Sequence, residues 1–395
     1  MPTNRPRCPI CGSDTKKNGT TSKGTTRWRC THCDHSFIRQ TQTDHQHAAT
    51  MRLFIRWATS ANSITDIATT EAVSRWTLHR RWHWCWHIIP PDPVDPHRIY
   101  DQLFLDATFV NAGCLLIAST KTHVVNWCWA RRETTAAYSE LIESIAPPLM
   151  VIIDGGQGAW SAIKKHWPTT TIQRCLVHAQ RVVRRYTTSR PKTVPGKAIY
   201  AIALNLTRVR TTDHAVNWIV ALHDFGQTYR QWMDQTTTSR DPLTGRTITV
   251  YTHQRVRNAY ASLLSLQRRS LLFNFLAPPD HALTPHEFCS NTNPLEGGIN
   301  ATVKEINRRH KGLTPPHQRT VLDWWLYLKT QAPDDPVDIA RSQHWGHDAL
   351  STAQSLLTHE NTNRQQAEGA PSGYDTGIDT NYQHSMGVQK GWAGH

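Results

Sequence analysis

Between Leu149 and Trp160 the chain reads Leu-Met-Val-Ile-Ile-Asp-Gly-Gly-Gln-Gly-Ala-Trp, and this stretch restricts the fold more than any other. Five apolar residues run without a break into Asp154, and then the glycines begin. Such a run, bounded by a turn, predicts a strand buried on both faces, as in the middle of an α/β sheet. An ionised carboxylate at its end sits where the interior stops, the usual place for an acid that does chemistry in an open α/β sheet. Three roles stay open for Asp154 on this stretch alone: N-cap of the next helix, magnesium ligand, or part of a phosphate loop. The glycines let the backbone turn sharply and let a bulky group approach. They match neither G-x-G-x-x-G nor G-x-x-x-x-G-K-[ST], which argues against a nucleotide cradle.

Charge narrows the partner. The chain of 395 residues has room for two or three domains and carries a formal +14. Residues 331–395 hold eight acids and three bases, net −5, which leaves +19 on residues 1–330. A body this basic points to a polyanion, most commonly nucleic acid. No stretch of about 18 consecutive apolar residues exists, so no membrane contact is expected. The first residues lack the apolar core of a signal peptide. A cytoplasmic chain is expected, and there the nine cysteines favour ligands or free thiols over disulfides.

Four cysteines fall as Cys8-Pro-Ile-Cys11 and Cys30-Thr-His-Cys33, with 18 residues between the pairs. This is zinc-ribbon spacing, expected over residues 1–42. Four thiolates close a tetrahedral site with no open position, so one Zn²⁺ would hold the fold and do no catalysis. The alternative is a redox C-x-x-C, which normally occurs once and in a βαβ context. Residues 48–90 predict a helix-turn-helix. Ser63-Ile-Thr-Asp66 opens one short helix as a capping box, and Ser74 caps a basic one. In that geometry Arg75, Thr77, His79 and Arg80 are candidate major-groove contacts. The turn lacks the frequent Gly, and a small helical connector with Trp76, Trp82, Trp84 and Trp86 as core is the competing reading. Pro90-Pro-Asp-Pro93-Val-Asp-Pro96 then reads as a stiff linker.

Beyond it the pattern changes to strands. Tyr100–Val110, Cys114–Ala118 and Val124–Trp129 predict an antiparallel meander. A helix at 134–145, the strand at 149–154, a helix at 159–167 and a short strand at 170–175 follow. This order is that of a ribonuclease-H-like α/β fold, in which the first and fourth strands lie side by side. Asp106 and Asp154 would then be neighbours, and two such acids repel unless a cation sits between them. Carboxylates suit Mg²⁺, and a third acid completes a two-metal centre for phosphoryl displacement. The candidate is Glu296 in Asn293-Pro-Leu-Glu296, with Asn293 as cap and Pro294 at the first helical position. Glu296, Asn300 and Lys304 would share one helical face. The plainer reading of Glu296 is a first-turn acid stabilised by the helix dipole.

These residues in combination resemble the bacterial insertion-sequence transposases related to the eukaryotic Mutator elements, in their zinc-ribbon-bearing branch. The resemblance rests on Leu105-Asp106-Ala-Thr108, Ile153-Asp154-Gly-Gly156, Cys175-Leu-Val-His178 and Asn291-Thr-Asn-Pro-Leu-Glu296-Gly-Gly-Ile-Asn300. Arg309-His-Lys-Gly312 and Asp323-Trp-Trp-Leu-Tyr327 extend it, so that it covers roughly residues 48–330. It implies a DDE transposase in which Asp106, Asp154 and Glu296 hold two Mg²⁺, nick transposon ends and join the freed 3′-hydroxyl to target DNA. Cys175, His178, Asn300 and Lys304 would support the site, and Arg308, Arg309 and Lys311 would contact DNA. For Cys175 and His178, two ligands alone do not hold zinc. A supporting or DNA-contacting role is therefore favoured for His178 over metal binding, with a packed helix-start histidine as the plain reading.

The implied architecture is an RNase-H-like core at 97–190 and 289–330, interrupted by an all-helical insertion at 191–288. Residues 331–395, poor in aliphatics, are expected to be a disordered tail. The implied setting is the bacterial nucleoid, on double-stranded DNA, as a homodimer or larger assembly that holds two ends. Two alternatives stay open: a nuclease of the same fold without strand transfer, and a catalytically silent DNA-binding regulator.

Overall fold

The computed structural model describes residues 5–8, 11–22, 24–38, 42–241, 243–352 and 355. The chain forms two compact units, one of residues 1–57, 64–89 and 334–395, the other of 58–63 and 90–333.

The first unit opens with a three-stranded antiparallel sheet, β1 (Thr15–Thr20), β2 (Thr26–Cys30) and β3 (Ser36–Ile38). Its strands are short and mostly exposed, so apolar burial alone cannot hold it. Helices α1 (Gln42–Thr59), α2 (Ile64–Thr70) and α3 (Arg75–Arg81) follow. Phe54 and Trp57 of α1 pack on Trp82 and Trp86, with the Trp57 and Trp82 rings stacked 4.9 Å apart. Between α2 and α3 the Val73 amide donates to Ala68 and the Ala72 amide to Thr69. That pattern needs a left-handed residue after the helix, and Ala72 takes it at φ 51° where glycine is usual. The missing glycine is thus tolerated rather than a sign that no turn exists.

The second unit is α/β. Its sheet has the order β6-β5-β4-β7-β8, with β4 (Gln102–Val110), β5 (Gly113–Ser119) and β6 (Val124–Ala130) antiparallel. After α4 (Thr135–Ile142) comes β7 (Met150–Ile153), which runs parallel to β4. After α5 (Gln157–His166) comes β8 (Thr171–Arg174), parallel to β7. Leu103, Leu105, Val151 and Ile153 turn one face into a core shared with Leu141, Ile142 and Ile163 of α4 and α5. Side chains alternate along a strand, so Asp106 points to the opposite face.

Helices α6 (Leu176–Thr187), α7 (Val194–Leu206) and α8 (Thr212–Thr228) build a second core with α10 (Gln254–Arg268). Between α8 and α10 lie the short α9 (Arg230–Met233) and two strands, β9 (Thr236–Arg240) and β10 (Thr247–Tyr251). The insertion is therefore not all-helical. The β-branched runs Thr236-Thr-Thr and Thr247-Ile-Thr-Val favour strands, and Asp241 seeds the turn by accepting from the Leu243 and Thr244 amides at 2.8 and 3.0 Å.

The chain returns to the sheet through a π-helical turn at Pro294–Asn300, which runs into α11 (Ala301–Arg309) and then α12 (Pro315–Tyr327). Asp323 of α12 is partly buried and accepts from the indoles of Trp127 and Trp129 on β6, at 2.8 and 2.7 Å. Beyond it, α13 (Pro336–Ser342) belongs to the first unit and buries Val337, Ile339 and Ala340. The expectation of disorder from 331 onward fails for this part: Asp335 caps the helix through the Val337 amide at 2.8 Å, and Trp345 packs 5.5 Å from Trp84. The remainder of that expectation, from 356 on, lies outside the described residues.

Candidate active site

The parallel pairing of β4 and β7 sets Leu105 opposite Ile153. Asp106 and Asp154 are the next residues on each strand, so both carboxylates leave the sheet at the same level. Burial comes first in pushing the Asp106 carboxyl up to about 7, followed by the Asp154 charge and then Glu296. Asn300 donates from Nδ2 to Asp106 Oδ2 at 2.8 Å. Asp154 is itself held, with Oδ1 accepting from the Gly156 amide at 2.8 Å. That bond turns the carboxylate back onto its own loop, while the N-cap of α5 is Gly156 with no side-chain cap bond, so Asp154 is not the helix cap.

The glycines after Asp154 have a different use from the one expected of them. Gly155 sits at φ 97°, and a Cβ there would meet the Arg174 guanidinium at 2.0 Å. The space is filled by Arg174 rather than left as clearance for a ligand. Gly158 lets α5 approach the chain before α4, where a Cβ would lie 2.9 Å from the Glu133 carbonyl. The Glu133 carboxyl is raised by burial and by Asp154.

Glu296 is on the π-helical turn, and its sequence neighbours act differently from expectation. Asn293 makes no side-chain cap and is helical itself. Its amide instead donates to Asn291 Oδ1 at 3.0 Å, and the Glu296 amide donates to the buried Thr292 carbonyl at 2.8 Å. The Thr292 hydroxyl donates to Glu296 Oε1, and Arg181 donates to Oε2 at 3.1 Å. His178 Nδ1 lies 3.5 Å from Oε1. Burial works to raise the Glu296 carboxyl, but Thr292, His178 and Arg181 outweigh it and hold it below its ordinary value.

Cys175 starts α6 and is fully buried. Its sulfur accepts from the Thr292 amide at 3.4 Å and hydroxyl at 3.3 Å. Burial pushes its thiol up, while His178 and Thr292 together bring it below its ordinary value. The imidazole of His178 is raised, first by Cys175, against an opposing effect of burial.

The three carboxylates therefore gather in one region but not around one point. Among the described residues of the second unit, the group whose ligand atoms all lie within 4.8 Å of one another is Cys175, His178 and Glu296, not Asp106, Asp154 and Glu296. Lys304 is exposed on α11. Arg308 and Arg309, expected on DNA, both pair with Glu305, at 2.8 and 2.9 Å. Lys311 is exposed. A cleft of about 620 Å³ opens beside Asp154, lined by Arg174, His178, Arg181, Arg184 and Arg185. Arg174 and Glu133 carry no motif and reach the site only through the sheet, and Thr292 lies within the Asn291–Asn300 motif without a role that the sequence assigns to it.

In the first unit, Arg75, His79 and Arg80 are exposed on α3, with the Arg80 guanidinium 5.7 Å from the exposed Trp76 ring. Thr77 is committed to the helix start, its amide donating to Ser74 Oγ at 3.1 Å. The four ribbon cysteines converge: Cys8 and Cys33 lie 3.6 Å apart, Cys11 and Cys30 3.4 Å, Cys11 and Cys33 3.5 Å. The His32 and Cys33 amides donate to Cys30 Sγ at 3.3 and 3.4 Å. Four mutually close sulfurs with amide donors fit a structural zinc ion.

No protein-family model matches the sequence, and no curated protein matches it. No helix among the described residues is long and apolar enough to cross a membrane.

Proposed function

We propose that the protein is a DNA transposase of the DDE type, with an RNase-H-like core that cleaves and joins DNA at Asp106, Asp154 and Glu296. The observation that carries this reading is the pair of aspartates on adjacent parallel strands, with Asp106 pushed up to about 7 by burial and by its neighbour's charge. Two such carboxylates call for a hard cation. Asp106 and Asp154 fit Mg²⁺ by donor type and by their mutual repulsion. Glu296 fits less simply, because Arg181 and His178 compete for it.

Bound there, Mg²⁺ would supply charge neutralisation and an activated water for phosphodiester hydrolysis. The chain's own residues do the rest. Asn300 fixes the Asp106 carboxylate by its 2.8 Å bond. Arg181, Arg184 and Arg185 line the cleft beside Asp154 and offer charge to a phosphate backbone. The exposed Arg75, His79 and Arg80 of α3 would enter a major groove. Strand transfer at two ends requires a dimer or larger assembly on double-stranded DNA.

The test uses purified protein, Mg²⁺ and a labelled duplex from the DNA flanking its coding sequence. Joined product supports the transposase. Nicks without joining make it a nuclease of the same fold. Retention without cleavage makes it a DNA-binding regulator. Asp106→Asn and Asp154→Asn should each lose cleavage by a factor of at least about 10², with duplex binding nearly intact; an active single variant removes that residue from the site.

A further inference from the structure

Glu296 is an acid for magnesium in the proposed reaction, yet the ligand atoms gathered with it are a sulfur and an imidazole nitrogen. We propose that Cys175, His178 and Glu296 form a binding site for a thiolate-preferring divalent ion, Zn²⁺ in chemical class, which shares Glu296 with the proposed magnesium centre. The proposal does not depend on the nuclease reading.

Two donors cannot hold such an ion, and Cys175 with His178 alone would not. The π turn supplies the third. Cys175 Sγ, His178 and a Glu296 oxygen all lie within 4.8 Å of one another. With Zn–N and Zn–O bonds near 2.1 Å, two ligands at tetrahedral positions sit roughly 3.4 Å apart. His178 Nδ1 and Glu296 Oε1 are 3.5 Å apart, long for a hydrogen bond and right for two ligands of one ion. Nδ1 is also buried without a hydrogen bond of good geometry; Nε2 faces Arg181 Nη1 at 3.4 Å, so ligation through Nδ1 moves the ring proton to Nε2 and leaves that guanidinium to Glu296 Oε2 alone.

The surroundings fit the same reading. Arg181 holds Oε2 at 3.1 Å, and Oε1, which accepts from the Thr292 hydroxyl, has its second lone pair for an ion. The Thr292 amide donates to Cys175 Sγ at 3.4 Å, the kind of outer bond that orients a thiolate ligand. One sulfur, one nitrogen and one oxygen, with the fourth position open to water, is the ligand pattern of zinc rather than magnesium, which prefers oxygen alone. Binding replaces the protons of Cys175 and His178, so it releases protons to solvent.

Cobalt is the probe, because thiolate-bound Co²⁺ absorbs in the near ultraviolet. The full-length protein, stripped and titrated with Co²⁺, should saturate at two ions per chain, one in the Cys8–Cys33 ribbon and one here. Cys175→Ser and His178→Ala should each saturate at one, with the ribbon ion unchanged. A wild-type chain that stops at one ion overturns the site, and so does a Cys175→Ser chain that still takes two. Cys175 is buried, so Glu296→Gln at a half-buried position guards against a folding defect. It should weaken the second ion by roughly ten-fold or more, and an unchanged affinity counts against the proposal. No DNA enters the measurement, so its outcome is separate from that of the cleavage assay.

Discussion

Asp106 carries an electrostatic cost in the second unit. Its carboxyl is buried, faces Asp154 and is pushed up to about 7. A carboxyl whose folded pKa is raised contributes stability that is full below its unfolded value near 3.8 and is lost as pH rises through about 7. One pKa unit corresponds to about 1.4 kcal/mol, so the full effect is on the order of a few kcal/mol. In magnesium-free buffer, the melting temperature of the wild type should therefore fall between pH 4 and pH 7 relative to that of Asp106→Asn. Added Mg²⁺ at pH 7.5 should raise the wild-type melt and leave the variant nearly unmoved. Thermal melts of the two proteins at several pH values, without chelator so that the ribbon keeps its zinc, provide the check. Parallel curves for wild type and variant would mean that Asp106 bears no such load.

At the scale of elements, the π turn Pro294–Asn300 decides which residues meet. A π turn carries one residue more than an α turn, and such widenings recur at functional sites. Here it delivers Glu296 to His178 and Arg181 while Asn300 reaches Asp106 on β4. Gly297 and Gly298 have nothing within 4 Å of a would-be Cβ, so the turn is open on that side. Deleting Gly298 should convert the turn to α-helix and rotate Glu296 relative to Asn300. The expected result is a helical circular-dichroism signal close to wild type and cleavage reduced by roughly 10² or more, since misplacement by about 1 Å costs that much. Retained cleavage would mean that the widened turn has no part in the site. The sequence announces less here than elsewhere. An apolar run ending in Asp154 predicts its strand because burial on two faces leaves one reading, and Cys8, Cys11, Cys30 and Cys33 predict their convergence because ligand spacing is local. The orientation of Glu296 depends on Arg181 and Thr292, which are 115 and 4 residues away and meet it only in the fold. The β9–β10 hairpin was written locally, in threonine runs around Asp241 and Gly245, and is hidden only by its helical surroundings.

For the whole molecule, the informative boundary is where the first unit ends. Composition beyond 331 argues for disorder, because few aliphatic side chains offset the entropy of ordering. Asp335-Pro336 nevertheless spells a helix start, and the three residues buried from α13 need no long apolar run. Gln343 clasps Ile89 in both directions, accepting from its amide at 3.1 Å and donating to its carbonyl at 2.6 Å. Trp345 closes the contact against His47 and Trp84. A chain ending at 333 should therefore be less stable in the first unit than one ending at 352. Trp345→Ala isolates the contribution of that ring, and a buried aromatic truncation costs about 3 kcal/mol. Denaturant melts followed by hydrogen exchange of the α1–α3 and β4–β8 amides would resolve the first unit from the second. If the 333 truncation melts like the 352 truncation, α13 lies on the first unit without supporting it.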